Sequence, residues 1–269
     1  MAYEMLVLDI DGTLTNSKKE ISKKTKEAIL NTQARGHHIV LASGRPTPGI
    51  MPLAKELLMD QFGGFVLSFN GAKVINCNNN EVIFQKVIPL ELLPEIYQAA
   101  IEEKVGIISY DDTSIITASE IDEYIEKESK INHMPIKAVD DFISYINYPI
   151  NKCLMTGEPK YLAKVEKRMK LRFGDKLSIY RSEPFFLEIM PLHIDKAHSL
   201  EKLLDTLHMS REQMISCGDG YNDLTMIQYA GKGVAMGNAQ KEIQEAADYI
   251  TYSNDEDGVA HVIDKFILV

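Results

Sequence analysis

The strongest constraint on this chain is a rhythm. Short apolar runs alternate with helix-like stretches from the start, the alternation breaks off near residue 85, and it resumes after Pro191. Met5–Leu8 reads as a strand, Ser22 is placed to cap a helix over Lys23–Arg35 that stops at Gly36, and His38–Ala42 is a second strand. Pro46 can open a helix reaching Leu58, followed by a third strand, Phe65–Ser68. Strands that alternate with helices predict a parallel sheet with helices on its faces. Lys73–Ile75 and Val82–Phe84 flank a polar stretch containing Asn78-Asn79-Asn80, which predicts a β-hairpin. Beyond Pro191 the pattern predicts a helix from Lys196 to His208, a strand Met214–Cys217, a helix Asn222–Tyr229, a strand Gly233–Met236, a helix Gln240–Ala247 and a last helix from Gly258.

The intervening stretch has another cadence. A helix over Leu90–Glu103, strands Val105–Tyr110 and Ser114–Thr117, a charged helix near Ile121–Lys130, a strand Asn151–Thr156, a helix Pro159–Phe173 and strands Leu177–Arg181 and Phe185–Met190 follow one another. Closely spaced strand pairs predict an antiparallel sheet with helices on one face. The expected fold is therefore α/β: a Rossmann-like parallel-sheet core of residues 1–84 and 191–269, with an α+β domain inserted at residues 85–190.

Open α/β sheets bind ligands beyond the carboxyl ends of their strands, so the residues that follow each strand are the ones to inspect. The first strand runs into Asp9-Ile10-Asp11-Gly12-Thr13, two carboxylates spaced i, i+2 at a turn that Gly12 frees. They can share a hard cation or divide nucleophile and acid roles. Asp255-Glu256-Asp257-Gly258 repeats the spacing with no buried strand before it, and reads there as acids favouring a helix amino terminus. The second strand ends in Ser43-Gly44-Arg45-Pro46, where a hydroxyl and free N–H groups suit either a phosphate oxygen or simple helix capping. Gly218-Asp219-Gly220-Tyr221-Asn222-Asp223 follows another strand, as a site or as a polar loop, and Lys196 opens a helix, as a site residue or as a solvated charge. Together these residues form a set that suits magnesium-assisted phosphoryl transfer.

That set resembles the haloacid dehalogenase superfamily of phosphatases and, within it, the Cof-type sugar-phosphatase branch. Asp9-Ile10-Asp11-Gly12-Thr13-Leu14 is similar to its first motif, Ser43 to its second, Lys196 to its third, and Gly218 to Asp223 to its fourth; Asn70-Gly71-Ala72 and Val234 to Ala239 resemble turns of the branch. One departure is Ala197, where the family usually has glycine after the lysine. The resemblance implies that Asp9 is a nucleophile forming an aspartyl-phosphate, that Asp11 is the acid/base and that Lys196 is catalytic. It further implies that Ile10, Gly12, Ser43, Gly44, Lys196 and Asn222 contact phosphate, and that Asp9, Asp11 (through its backbone carbonyl), Asp219 and Asp223 hold Mg²⁺. Crowding among the four carboxylates is expected to raise one of their pKa values, with Asp11 holding the proton. The insertion resembles the branch's α/β cap, with Lys152, Arg181, Ser182 and Glu183 as polar candidates for substrate selection. The implied activity is hydrolysis of small phosphomonoesters, sugar phosphates foremost, against a phosphomutase of the same superfamily or a regulatory protein that keeps the fold without turnover.

Charge and composition argue against nucleic acid and membrane as partners, and the resemblance implies a small phosphorylated metabolite. Lys and Arg number 29 against 39 Asp and Glu, and the net charge of −10 repels nucleic acid and anionic lipid. Cys77, Cys153 and Cys217 fit no zinc spacing and cannot all pair within one chain, which suits a reducing compartment. With no secretion signal in the amino-terminal residues and no apolar run near the ~18 residues of a membrane span, a cytoplasmic location is expected.

Overall fold

The computed structural model describes residues 3–268. Fourteen strands form two sheets. In chain order they are β1 (Met5–Leu8), β2 (His38–Ala42), β3 (Phe65–Ser68), β4 (Lys73–Asn76), β5 (Val82–Gln85), β6 (Gly106–Tyr110), β7 (Ile115–Thr117), β8 (Ile136–Ala138), β9 (Cys153–Thr156), β10 (Leu177–Glu183), β11 (Phe186–Pro191), β12 (Met214–Gly218), β13 (Lys232–Ala235) and β14 (Tyr249–Ile250). The chain divides into two compact units. One comprises the residues up to Arg45, Ile50–Phe84 and the chain from Asp195; the other comprises Pro46–Gly49 and Gln85–Ile194.

The first unit is built on an eight-stranded sheet in the order β14-β13-β12-β1-β2-β3-β4-β5. Pairing is parallel from β14 to β3 and turns antiparallel at β3–β4, and β4 and β5, the two arms of the expected hairpin, lie side by side at the sheet's end. β1 lies at the centre and is buried on both faces, so its four apolar residues have no polar alternation. Leu6 and Leu8 join one core with the helices Lys23–Ala34, Thr47–Glu56 and Gly258–Phe266. Met5 and Val7 join the other with Lys196–Leu207 and Leu224–Tyr229. Each fully buried aliphatic side chain contributes roughly 1.5–3 kcal/mol, which is what fixes the register of this strand. Leu8 pairs with Leu41 on one side and Cys217 on the other, so the residues after β1, β2 and β12 emerge side by side at one sheet edge.

The second unit carries a six-stranded sheet, β10-β11-β9-β6-β7-β8. The antiparallel expectation holds from β10 to β7, but β7 and β8 pair in parallel. Helices cover both faces rather than one. Ile107 packs in a core shared with Leu93–Glu102 and Pro159–Phe173. Gly106 and Tyr110 point the other way, where Ile125 and Glu128 of the helix Glu123–Asn132 meet them. β8, with its exposed and half-buried residues, carries no apolar alternation that would have marked it as a strand.

The acids at 255–257 stand at helix starts as expected, Asp255 and Glu256 in the short helix Asn254–Glu256 and Asp257 just before Gly258–Phe266, but they do more than that. Asp257 has left-handed backbone (φ 59°) and its side chain caps nothing in the helix that follows. Asp255 instead accepts the Ser17 N–H at 2.8 Å, and Asp257 accepts the Ser22 hydroxyl, so both tie this loop to the segment after β1. Among the described residues no helix is long and apolar enough to cross a membrane.

Candidate active site

The sheet edge gathers most of the residues singled out above. Asp9 leaves β1 with its N–H bonded to the Cys217 carbonyl at 3.0 Å, and its side chain is buried. Lys196, the first residue of its helix, is 0% exposed. Its ammonium uses all three protons: to Asp9 Oδ1 at 2.7 Å, to the Ala42 carbonyl at 2.8 Å and to Asp223 Oδ1 at 2.5 Å. A lone buried ammonium would lose its hydration without return, and these three acceptors supply it. Burial opposes its charge, yet Asp223 and Asp9 hold it above the ordinary lysine range. Ala197 occupies the next helical position without disturbing this arrangement.

Asp223 builds the loop after β12. Its Oδ2 accepts the N–H groups of Asp219 (3.0 Å) and Gly220 (2.9 Å), which aims the Asp219 carboxylate back toward β1. Gly12 is the complementary element: its φ of 87° is left-handed, and a Cβ there would lie 2.3 Å from Asp219 Oδ2. Thr13 adds a hydroxyl bond to Asp219 Oδ1 at 3.1 Å. Asp9, Asp219 and Asp223 thereby bring one carboxylate oxygen each within 4.8 Å of one another. Burial, then the charge of Asp223, raise Asp9 well above the usual carboxylate range, with Lys196 opposing. The same two causes push Asp219 up to about 6. Three converging carboxylates with one ammonium among them form an all-oxygen donor set of excess negative charge, and that fits a hard divalent cation such as Mg²⁺.

Asp11 departs from expectation. Its carboxylate lies outside that group of three and takes a forked pair of bonds from Arg45, Nε to Oδ2 at 2.8 Å and Nη2 to Oδ1 at 2.7 Å, with Lys19 Nζ on Oδ1 at 2.9 Å. Burial would raise its pKa, but these two cations outweigh it and hold the carboxyl below the ordinary range. The upward shifts in the cluster thus fall on Asp9 and Asp219 and not on Asp11, because burial and the Asp223 charge outweigh Lys196 at Asp9, whereas Arg45 and Lys19 outweigh burial at Asp11.

The remaining expected residues sort by distance. Ser43 is buried just after β2 and its hydroxyl accepts the Arg45 N–H at 3.2 Å, a turn in the loop ahead of the helix Thr47–Glu56. Asn222 donates to Asn70 Oδ1 at 3.2 Å, and a Cβ on Gly44 would meet the same Asn70 amide at 3.1 Å, so Asn70 links the two loops. The Ile10 side chain is in the core and its carbonyl accepts the Thr15 N–H and hydroxyl, so only its own N–H is left to offer. In the second unit Lys152 is buried against Glu188 (3.1 Å), which also accepts from Ser182 at 2.7 Å, whereas Arg181 pairs with Glu166 at 2.8 Å and Glu183 is exposed. Arg45, Lys19, Asn70 and Thr13 escaped assignment by sequence; Arg45 sits two residues after Ser43 and could have been suspected, while Lys19 carries no local signal.

A doubly wound sheet that presents a carboxylate-rich edge with a buried lysine is an arrangement that fits the haloacid dehalogenase-like hydrolases. The chain belongs to the haloacid dehalogenase-like hydrolase family, whose match spans residues 6–263. It is similar to YxeH of Bacillus subtilis strain 168, whose name calls it a phosphatase provisionally, with 33% identity over 269 residues and 99% of each chain covered. A crystal structure of a haloacid dehalogenase-like hydrolase from Bacteroides thetaiotaomicron superposes with a TM-score of 0.95 at 49% identity, covering 98% of this chain and 99% of that one. The sugar phosphatase BT4131, of HAD subclass IIB, superposes with a TM-score of 0.81 at 26% identity, covering 98% of each. The family expected from the motifs is the family found.

Proposed function

We propose that this protein is a Mg²⁺-dependent phosphatase of small phosphomonoesters, sugar phosphates foremost, working through a phosphorylated Asp9. The observation that carries the reading is the environment of Asp9. Its Oδ1 is anchored by Lys196, while among the described residues Oδ2 accepts no hydrogen bond and is left to attack phosphorus. Its relatives include proteins named as phosphatases, one of them a sugar phosphatase.

Asp9, Asp219 and Asp223 would hold the cation, with the Asp11 backbone carbonyl as the family pattern implies. When bound, Mg²⁺ supplies the positive charge that lets a phosphate dianion meet a carboxylate. Lys196 lowers the same repulsion from the protein side and keeps Asp9 in one rotamer. The N–H groups of Ile10, Gly12 and Gly44, with Ser43 and Asn222, would hold the phosphate oxygens, as the family pattern implies. Asp11 handles protons: once substrate loosens its bonds to Arg45 and Lys19 it takes up a proton from solvent and passes it to the leaving oxygen in the first step, and, ionised again, it takes a proton from the attacking water in the second. The ionised form that Arg45 and Lys19 hold is the form needed for the second step. The inserted residues 85–190 are assigned the choice of leaving group, with the buried Lys152–Glu188 pair the first place to look.

The test is phosphate release from a panel of sugar phosphates and from p-nitrophenyl phosphate, with MgCl₂ and with chelator. Release into water, and not transfer within the substrate, separates a phosphatase from a mutase. Asp9→Asn should abolish turnover on every substrate. Asp11→Asn should cost alkyl phosphates far more than p-nitrophenyl phosphate, whose leaving group needs little protonation. Turnover within tenfold of wild type by Asp9→Asn would remove the covalent reading.

A further inference from the structure

The turn after β1 is an elaborate piece of backbone, of which the proposed chemistry uses only the Lys19 contact to Asp11. Asn16 and Glu20 close it through an N–H to carbonyl bond of 2.9 Å, and the Lys19 N–H returns to the Asn16 carbonyl at 2.9 Å. The Asn16 side chain accepts the N–H groups of Lys18 (2.9 Å) and Glu20 (3.1 Å). Lys19 is thereby held in left-handed backbone, φ 63°, a conformation that glycine or asparagine adopts readily and lysine does not. The turn is also tied down from outside: Asn254 donates to the Thr15 carbonyl at 2.9 Å, and Asp255 accepts the Ser17 N–H. The product of all this is the position of one ammonium, Lys19 Nζ, 2.9 Å from Asp11 Oδ1.

Asp11 does not need it. The Arg45 fork already places a donor on each oxygen, so Lys19 is a third donor on a satisfied carboxylate, and its side chain is 63% exposed. An exposed ammonium can leave such a pair at little cost. Resting on the proposed role of Asp11 at the leaving-group oxygen, Lys19, bonded to the Asp11 carboxylate, would stand on the leaving-group side of the reaction. We infer that Lys19 is a specificity-determining residue that exchanges Asp11 for an anionic group on the substrate's leaving group, one to three carbons from the phosphoester oxygen. The substrate class is the phosphomonoesters of hydroxy acids and sugar acids. In a chain of net charge −10, a rim cation is also what draws a polyanion to this edge.

The experiment compares glycerol 3-phosphate with 3-phosphoglycerate, which differ in a hydroxymethyl group against a carboxylate, using the full-length Mg²⁺-loaded protein. Lys19→Met should lower the ratio of kcat/KM for the acid over the alcohol by about fivefold, through KM, the size of one partly exposed ion pair. Lys19→Arg should keep the ratio, and added salt should reduce it in wild type but not in Lys19→Met. Asn16→Ala, which frees the turn and leaves Lys19 in place, should lower the ratio in the same direction. An unchanged ratio in Lys19→Met, or equal loss on both substrates, overturns the inference. If neither substrate is hydrolysed while p-nitrophenyl phosphate is, the substrate class is wrong and the phosphatase reading survives; if none of the three is hydrolysed, both fall.

Discussion

Replacing Lys196 with methionine tests whether the site's stability and its chemistry share one charge. The side chain is 0% exposed, and methionine fills nearly the same space, so the perturbation is electrostatic and not a cavity. What is lost is the ammonium's three bonds and, among the described residues, the one cation that touches both Asp9 and Asp223. Removing one partner from a buried pair costs about 3–5 kcal/mol, because the surviving charge is left in a poorly solvated place. For a chain of this length that is a fall in Tm on the order of 10 °C. The cost should shrink toward acid pH, since Asp9, already raised well above the ordinary carboxylate range, escapes by keeping a proton. Thermal unfolding in chelator at neutral pH gives the first number, and the cycle with Asp9→Asn gives the second: the double variant should be more stable than the sum of the singles by about 1–3 kcal/mol. Turnover should be lost in every variant. A Lys196→Met protein that unfolds with wild type, or a cycle with no coupling, would refute the view that Lys196 neutralises a buried carboxylate cluster.

Gly12→Ala should leave a folded protein with turnover reduced at least about a hundredfold, because left-handed backbone costs a non-glycine residue about 1–2 kcal/mol and the new methyl group displaces Asp219; equal activity would mean that the 12–219 contact is slack. The metal-free protein should lose stability as pH rises from about 4 to about 6. Asp219 holds its proton more tightly folded than unfolded, so its contribution is fully present below its ordinary value of 3.8 and disappears as pH passes about 6. Millimolar MgCl₂ should flatten that profile, and a flat profile in chelator would contradict it. Arg45→Lys should retain charge but lose the fork on Asp11, lowering kcat on alkyl phosphates more than on p-nitrophenyl phosphate; equal loss on both would place Arg45 with the phosphate instead.

Much of the fold could be read from the chain because the signals are local. A strand buried on both faces must be continuously apolar, as Met5–Leu8 is, and the helix Pro159–Phe173 has its proline at the start and glycine at its end. Motif residues could be read because each follows such a strand directly: Asp9, Ser43 and Asp219 are aimed by the sheet, and the parallel register of β1 with β2 and β12 converts three distant sequence positions into one edge. β8 and the parallel β7–β8 pairing could not be read, since a three-residue strand with exposed side chains has no pattern of its own and is defined only by its neighbour.

Charge was decided by tertiary structure alone. Sequence places Asp11 among carboxylates and predicts crowding, but which carboxyl keeps a proton depends on where the cations stand, and Arg45 and Lys19 arrive from β2 and from a left-handed turn to hold Asp11 ionised. Lys196 reads in the chain as one lysine among many at a helix start; only folding takes it out of water and gives its three protons to Asp9, Ala42 and Asp223. Asp255 and Asp257 read as helix-start acids and become tethers across more than two hundred residues, Asp255 to Ser17 and Asp257 to Ser22. Residue type and spacing specify which chemistry a chain can attempt; pKa, partner and rotamer depend on distances between segments remote in sequence, and those exist only once the core has closed.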